Sequence, residues 1–219
     1  MSDPDRAALL FPVGQPLGEL HARPGGGPSC HRLRIGRRPV HLTDPAEALL
    51  WQLAHGGVPG GAPCTAGAVL DRAAALGVAG AADVLRTMLR SGTLAAVRLE
   101  PAEAAAFARR LRMCPMLLGF GPLPSGGVAV GLAGGVLAEL PAPIHELWRW
   151  AGIAGSIWEV CAALGLALPA GAARPPTESL VLALLGDLHP MLTAGAVYLD
   201  AALTMETHTT TNTQQSLLS

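Results

Sequence analysis

A metal centre or a nucleophilic active site in this chain would have to be built from four cysteines and seven histidines. Cys30, Cys64, Cys114 and Cys161 are scattered with no C-x-x-C, so their spacing gives no zinc site. They read as buried free thiols in a reducing compartment. His21, His31, His41, His55, His145, His189 and His208 form no H-x-x-x-H pair, and a lone histidine is more often a surface or satisfied core residue than a ligand. Gly119-Phe120-Gly121 and Gly131 to Gly135 follow apolar runs. They lack the G-x-G-x-x-G spacing and the following helix that would cradle a phosphate, so they read as turns. No catalytic residue, metal ligand or cofactor is assigned, and the chain is not expected to be an enzyme.

Charge is the remaining chemical feature. The formal net charge is −1, which argues against a protein whose main work is neutralising phosphates. Every basic residue is arginine, and the arginines are unevenly placed. Residues 29–99 carry eight of them against four acids, a balance of +4; residues 125–203 carry two against six, a balance of −4. The plain reading of the basic excess is a solvated face. Opposite balances would also favour docking of one stretch on the other.

These residues sit on a repeated pattern. Leu33 and Ile35 alternate with Arg32 and Arg34, Gly36 to Pro39 turns, and Val40 and Leu42 alternate about His41, which gives a hairpin with one apolar face. Thr43 or Asp44 then caps a helix that opens on Pro45 and buries Leu49, Leu50 and Leu53. Val130 to Ala151 repeats this text 97 residues later: Leu33 falls on Val130, Val40 on Leu137, Leu50 on Leu147 and Trp51 on Trp148. Trp51, Trp148 and Trp158 read as core or inter-unit packing, and Trp150, on another helix face, as an interface residue.

With 219 residues, half of them apolar, the chain can bury one large core or two small ones. The expected class is α+β. Residues 1–28 read as an N-terminal arm and linker, part of which adds a strand to the first sheet. Residues 29–99 form a first unit, with further helices from about Thr65 to Leu76 and Ala81 to Ser91 and a short strand within Thr93 to Leu99. Residues 100–124 give a connecting helix, over 100–112, and a turn-rich loop. Residues 125–203 form a second unit, with helices from about Ser156 to Leu164 and from Thr177, the latter kinked or split at Pro190. Residues 204–219 are a polar, Thr-rich tail, read as disordered or, in a sharper version, as an extended segment lying along a strand edge. The start MSDPDRAALL is acidic and lacks a basic stretch followed by a long apolar core, so no signal peptide is expected; the uncharged run Met113 to Ala138 holds too many prolines and glycines for a membrane helix, and a cytoplasmic protein is expected.

A hairpin followed by three helices, the third ending at Gly plus an apolar residue, is a winged-helix order with the paired strands first. It resembles the RiPP recognition elements, the winged-helix modules typified by the peptide chaperone of pyrroloquinoline quinone biosynthesis. The resemblance is clearest at Val136 to Leu164, where Leu137 leads the last strand, Ile144, Leu147 and Trp148 stripe the first helix, and Ile157-Trp158 and Ala162-Ala163-Leu164 the second. Two tandem copies depart from the family's single module. The resemblance implies a non-catalytic function in natural-product biosynthesis: the leader of a ribosomally made precursor adds as a strand to the last strand of the sheet and packs on the third helix.

Carried onto this chain, the first groove is Pro39 to Thr43 against Ala81 to Ser91, with Arg34, Val40, His41, Leu42, Thr43, Leu85, Arg86, Leu89 and Arg90 as peptide-binding residues. A second candidate groove is Val136 to Leu140 against Thr177 to Leu188, with Leu137, Leu140, Leu180 and Leu184. Leaders of this class are often acidic, so the basic first unit is favoured. Expected partners are the leader and the pathway's modifying enzymes, without membrane or nucleic acid; a homodimer is compatible with this reading. The alternative is a winged-helix DNA-binding transcriptional regulator. It would have to read bases with Arg86, Thr87 and Arg90 and use Arg37-Arg38 as a wing, while Glu178 and Asp187 of the second copy would repel phosphate.

Overall fold

Period-2 and helical stretches succeed one another along the chain in the same order twice. The computed structural model describes residues 5–21, 23, 25, 27–56, 64–167 and 174–203 and gives an α+β molecule. The first run is β1 (Leu9–Pro12), β2 (Gln15–His21), β3 (Pro28–Ile35), β4 (Arg38–Leu42), α1 (Pro45–Leu53), α2 (Ala66–Ala75), α3 (Ala81–Ser91) and β5 (Leu94–Val97). Helix α4 (Pro101–Arg110) follows. The second run is β6 (Leu111–Pro115), β7 (Leu118–Pro122), β8 (Val128–Leu132), β9 (Gly135–Leu140), α5 (Ala142–Ala151), α6 (Ile157–Ala167), α7 (Thr177–Thr193) and β10 (Val197–Ala201). The tail 204–219 and residues 57–63 of the loop after α1 lie outside the described residues.

Each run makes a three-stranded antiparallel sheet, β2-β3-β4 or β7-β8-β9, and a two-stranded ladder, β1-β5 or β6-β10. Local chemistry sets the boundaries. Gly36 takes φ +58° in the two-residue β3–β4 turn, where a side chain would be strained. Asp44, not Thr43, caps α1 by accepting from Ala46 N at 2.8 Å, and Thr65 caps α2 by accepting from Ala68 N at 3.1 Å. Gly92, at φ +77°, ends α3.

Four readings of the sequence need correction. Part of the arm adds a strand to the first sheet as expected, β2 on β3, but residues 9–12 form a further strand, β1, which pairs with β5 across most of the first run. The turn-rich connector is two strands: Leu111 leaves the helix for extended backbone because Leu111–Pro115 pairs with β10, and Leu118–Pro122 pairs with β8. Pro190 does not split its helix. Its missing N–H leaves the carbonyl of Gly186, an exposed residue open to water, while Leu188, His189, Met191 and Leu192 on either side are buried and hold the helix together. Finally, Val40 does not match Leu137. A bulge makes Leu137 an extra residue in β9, so Val130 faces Ala138 as Leu33 faces Val40.

The core has two clusters, and β1 belongs to both. Leu10 packs with Leu33, Leu50, Trp51, Leu85 and Leu94 of the first run, while Leu9, Phe11 and Val13, on its opposite face, pack with Phe107, Val130, Trp148 and Leu184. The matched tryptophans are both buried and both satisfied: Trp51 Nε1 donates to Val13 O at 3.2 Å and Trp148 Nε1 to Ala196 O at 3.0 Å. Trp150 is exposed, and Trp158 is half-buried under the Arg109 guanidinium, 3.7 Å from its ring centre.

His189 is the polar centre of this junction. Its ring stacks on Phe11 at 4.4 Å and its Nε2 donates to Leu10 O at 2.9 Å. Thr193, one turn on, donates to His55 O at 2.8 Å. Burial pushes both His189 and His55 below the ordinary histidine range, so each is neutral in the folded protein. An unfolded chain takes up these protons near the ordinary value of about 6.5. Stability is therefore complete above that pH and falls as pH drops through it. Urea titrations at pH 7.5 and 5 are expected to show this loss, and His189→Gln, which keeps a donor for Leu10 O without a titrating ring, is expected to reduce it to the share of His55.

Candidate functional site

The two-residue turn at Gly36-Arg37 fixes the hydrogen-bond phase of β3–β4. Ile35 and Arg38 flank it as a bonded pair, so Leu33 with Val40 and His31 with Leu42 are bonded pairs too. Pro39 and His41 therefore turn their main-chain groups away from β3, and Thr43 continues the row. Proline suits this position, since it has no N–H to leave unpaired. The outer edge of β4 thus offers the carbonyl of Pro39, both main-chain groups of His41 and the N–H of Thr43. None of these has a hydrogen-bond partner among the described residues. Helix α3 is tied to the start of this edge by Arg38, whose guanidinium donates to Ser91 O at 3.3 Å.

The predicted residues divide into four groups, and only some of them lie at this edge. His41 and Thr43 are exposed on it, Val40 is half-buried beside it, and Leu89 is half-buried on α3. Arg90 is exposed on α3 and donates to Thr87 Oγ1 at 3.2 Å, whereas Arg86 is half-buried, with its Nε buried, and pairs with Asp83. Leu42 and Leu85 are core residues, 3% and 0% exposed, so they support the edge from below rather than contact a ligand. Arg34 is elsewhere. Its guanidinium donates to Gln15 Oε1 at 2.5 and 3.1 Å, to Gly36 O at 2.7 Å and to the Tyr198 hydroxyl at 3.3 Å, and so it bridges the two runs.

The second groove is less regular. The bulge at Leu137 interrupts the β8–β9 ladder, and Gly131 passes so close to the Gly135 carbonyl that a Cβ there would overlap it. Leu137 is exposed, Leu180 is half-buried, and Leu140 and Leu184 are core. The sheet is uncharged apart from Glu139 and carries exposed Leu118, Phe120 and Val136.

Sequence reasoning missed a polar seam between the runs. Asp200, fully buried in β10, accepts from Gly36 N at 2.5 Å, Ala201 N at 2.9 Å and the Arg112 guanidinium at 3.1 Å. It holds the β3–β4 turn, and therefore the candidate edge, against the second run. The one available signal was a lone acid in the apolar strand VYLDA. The four cysteines are free and buried; burial pushes the thiols of Cys64 and Cys114 up and that of Cys161 to about 12, so all three stay protonated at neutral pH. Among the described residues no cluster of three or more His, Cys, Asp or Glu is placed to hold a metal, and no helix is long and apolar enough to cross a membrane.

No protein-family model matches this chain, and no curated protein and no solved structure is significantly similar to it.

Proposed function

We propose that this chain is a non-catalytic peptide-binding protein of two tandem winged-helix units. The first holds the leader of a ribosomally made precursor by strand addition at β4. The modifiable part of the precursor then stays free for separate enzymes of the same pathway. The observation that carries this reading is the outer edge of β4, where the main-chain groups of Pro39, His41 and Thr43 have no hydrogen-bond partner among the described residues and whose start is tied to α3 by Arg38. An incoming strand gains main-chain bonds at Pro39, His41 and Thr43, and acidic residues on it gain register and on-rate from the arginines. The regular edge of β4 and the bulged edge of β9 favour the first unit over the second.

The test is titration of the full-length protein with the short peptide encoded nearest its gene and, separately, with random duplex DNA. Saturable peptide binding is expected, and His41→Pro is expected to weaken it at least tenfold. That substitution removes an outward N–H and no ladder bond, so the urea midpoint should hold. Arg86→Glu should slow association and reduce the salt dependence. Peptide binding unchanged in His41→Pro would remove β4 from the reading. DNA binding that collapses with salt, without peptide binding, would make the protein a regulator instead.

A further inference from the structure

The groups that β4 turns outward are complementary to themselves. Along the strand they are the carbonyl of Pro39, the N–H and carbonyl of His41 and the N–H of Thr43, none with a hydrogen-bond partner among the described residues. Pro39, His41 and Thr43 are all exposed, so a chain can reach them. A second copy laid antiparallel on this edge, with a two-fold axis at His41, uses every one of these groups. His41 faces His41 of the second copy as a bonded pair, and the two exchange both main-chain bonds. Pro39 faces Thr43 on either side of the axis, and each Thr43 N–H meets a Pro39 carbonyl. Pro39 then stands at the end of the ladder, opposite a residue that lies past the last residue of β4, where an edge proline is tolerated.

The side chains agree with the same register. Half-buried Val40 stands opposite Leu42 of the second copy in a non-bonded pair, where side chains come closest. Exposed Arg38 stands opposite exposed Asp44, and the two-fold makes this pair twice. Arg38 has no carboxylate partner among the described residues, its guanidinium donating to Ser91 O. Asp44 has no cationic partner there and uses one oxygen to cap α1. Neighbouring registers lose this match. An axis at Val40 sets the His41 carbonyl against the Pro39 ring, and an axis at Leu42 sets Val40 against Asp44. Strand β9 of the second run does not repeat the arrangement, because the bulge at Leu137 breaks the alternation of its outward groups.

We propose that β4 is the seam of a two-fold dimer, in which the β2-β3-β4 sheets of two copies join as one six-stranded sheet. An open strand edge is a template for a second chain, and pairing with a second copy closes it. The proposal rests on the geometry of β4 and not on the identity of a peptide. Where leader binding at β4 also holds, the leader and the second copy compete for one edge, so the dimer is the resting form and the peptide releases monomers.

The test is sedimentation equilibrium of the full-length protein with no peptide present, so its failure is distinct from failure of leader binding. A concentration-dependent dimer is expected. His41→Pro, which removes the central N–H from each copy, and Arg38→Glu, which sets like charges opposite each other, should each weaken it at least tenfold. Bonded pairs hold their Cα atoms about 5.5 Å apart, within disulfide reach. Mild oxidation of His41→Cys should therefore give a covalent dimer. Pro39→Cys and Thr43→Cys should cross-link when mixed and not alone, and the parent protein, whose four cysteines are buried, should not cross-link. A monomer at every concentration, a dimer unchanged in His41→Pro, or a dimer that cross-links through Thr43→Cys alone and not through His41→Cys would each overturn the proposal.

Discussion

Asp200→Ala is expected to destabilise the protein by about 3–5 kcal/mol, the usual cost of removing one partner from a buried ion pair. The carboxylate is fully buried and answers three donors, namely Gly36 N, Ala201 N and Arg112. Without it the Arg112 guanidinium, only 18% exposed, is left with a buried positive charge, and its Nε already lacks a partner. Removing both partners should cost much less. Asp200→Leu combined with Arg112→Leu is expected to recover more than half of the loss, because no uncompensated charge remains. Equilibrium urea unfolding at neutral pH measures both. An Asp200→Ala variant within 1 kcal/mol of wild type would show that water reaches Arg112. Because Asp200 also fixes the Gly36 turn, the peptide binding proposed for β4 should weaken in the variant even where it remains folded, which separates orientation of the edge from its main-chain bonding.

The parts legible in the sequence were those set locally. The β3–β4 hairpin has one buried face, so its alternation is visible, and its two-residue turn already fixes which residues of β4 face outward. The cap of α1 and the stop of α3 are equally local. Strand β1 was hidden for the opposite reason: both faces are buried, so Leu9 to Val13 reads as an unbroken apolar run without period. Helix α4 was extended too far because Leu111 and Arg112 are good helix formers; a ladder partner at Asp200 and Ala201, far along the chain, overrides them. The β9 bulge was masked by a leucine that seemed to match Val40. Arg34 looked like a groove residue because its partner Tyr198 lies 164 residues away. Long-range pairing, which periodicity does not encode, accounts for each of these misses.

Phe11→Ala is expected to cost about 3–5 kcal/mol, as for other buried phenylalanines, and to do so in both halves at once. Phe11 is fully buried between the His189 ring of α7 at 4.4 Å and the Phe107 ring of α4 at 5.4 Å, so truncation leaves a cavity between two helices. Its strand carries Leu10 into the first cluster and Leu9, Phe11 and Val13 into the second. Losing β1 would strip the first run of the ladder partner of β5 and the second cluster of Leu9 and Phe11, so the molecule should unfold in a single cooperative transition. Native-state hydrogen exchange distinguishes this from two independent units. The amides of Val69 in α2 and Leu184 in α7, both in helices and both in core residues, should lose protection by the same free energy in Phe11→Ala. Leu10→Ala, on the opposite face of the strand, should shift the same two amides together. If Phe11→Ala lowers protection at Leu184 and leaves Val69 at its wild-type value, β1 does not couple the halves, and the Asp200 seam alone holds the candidate edge in place.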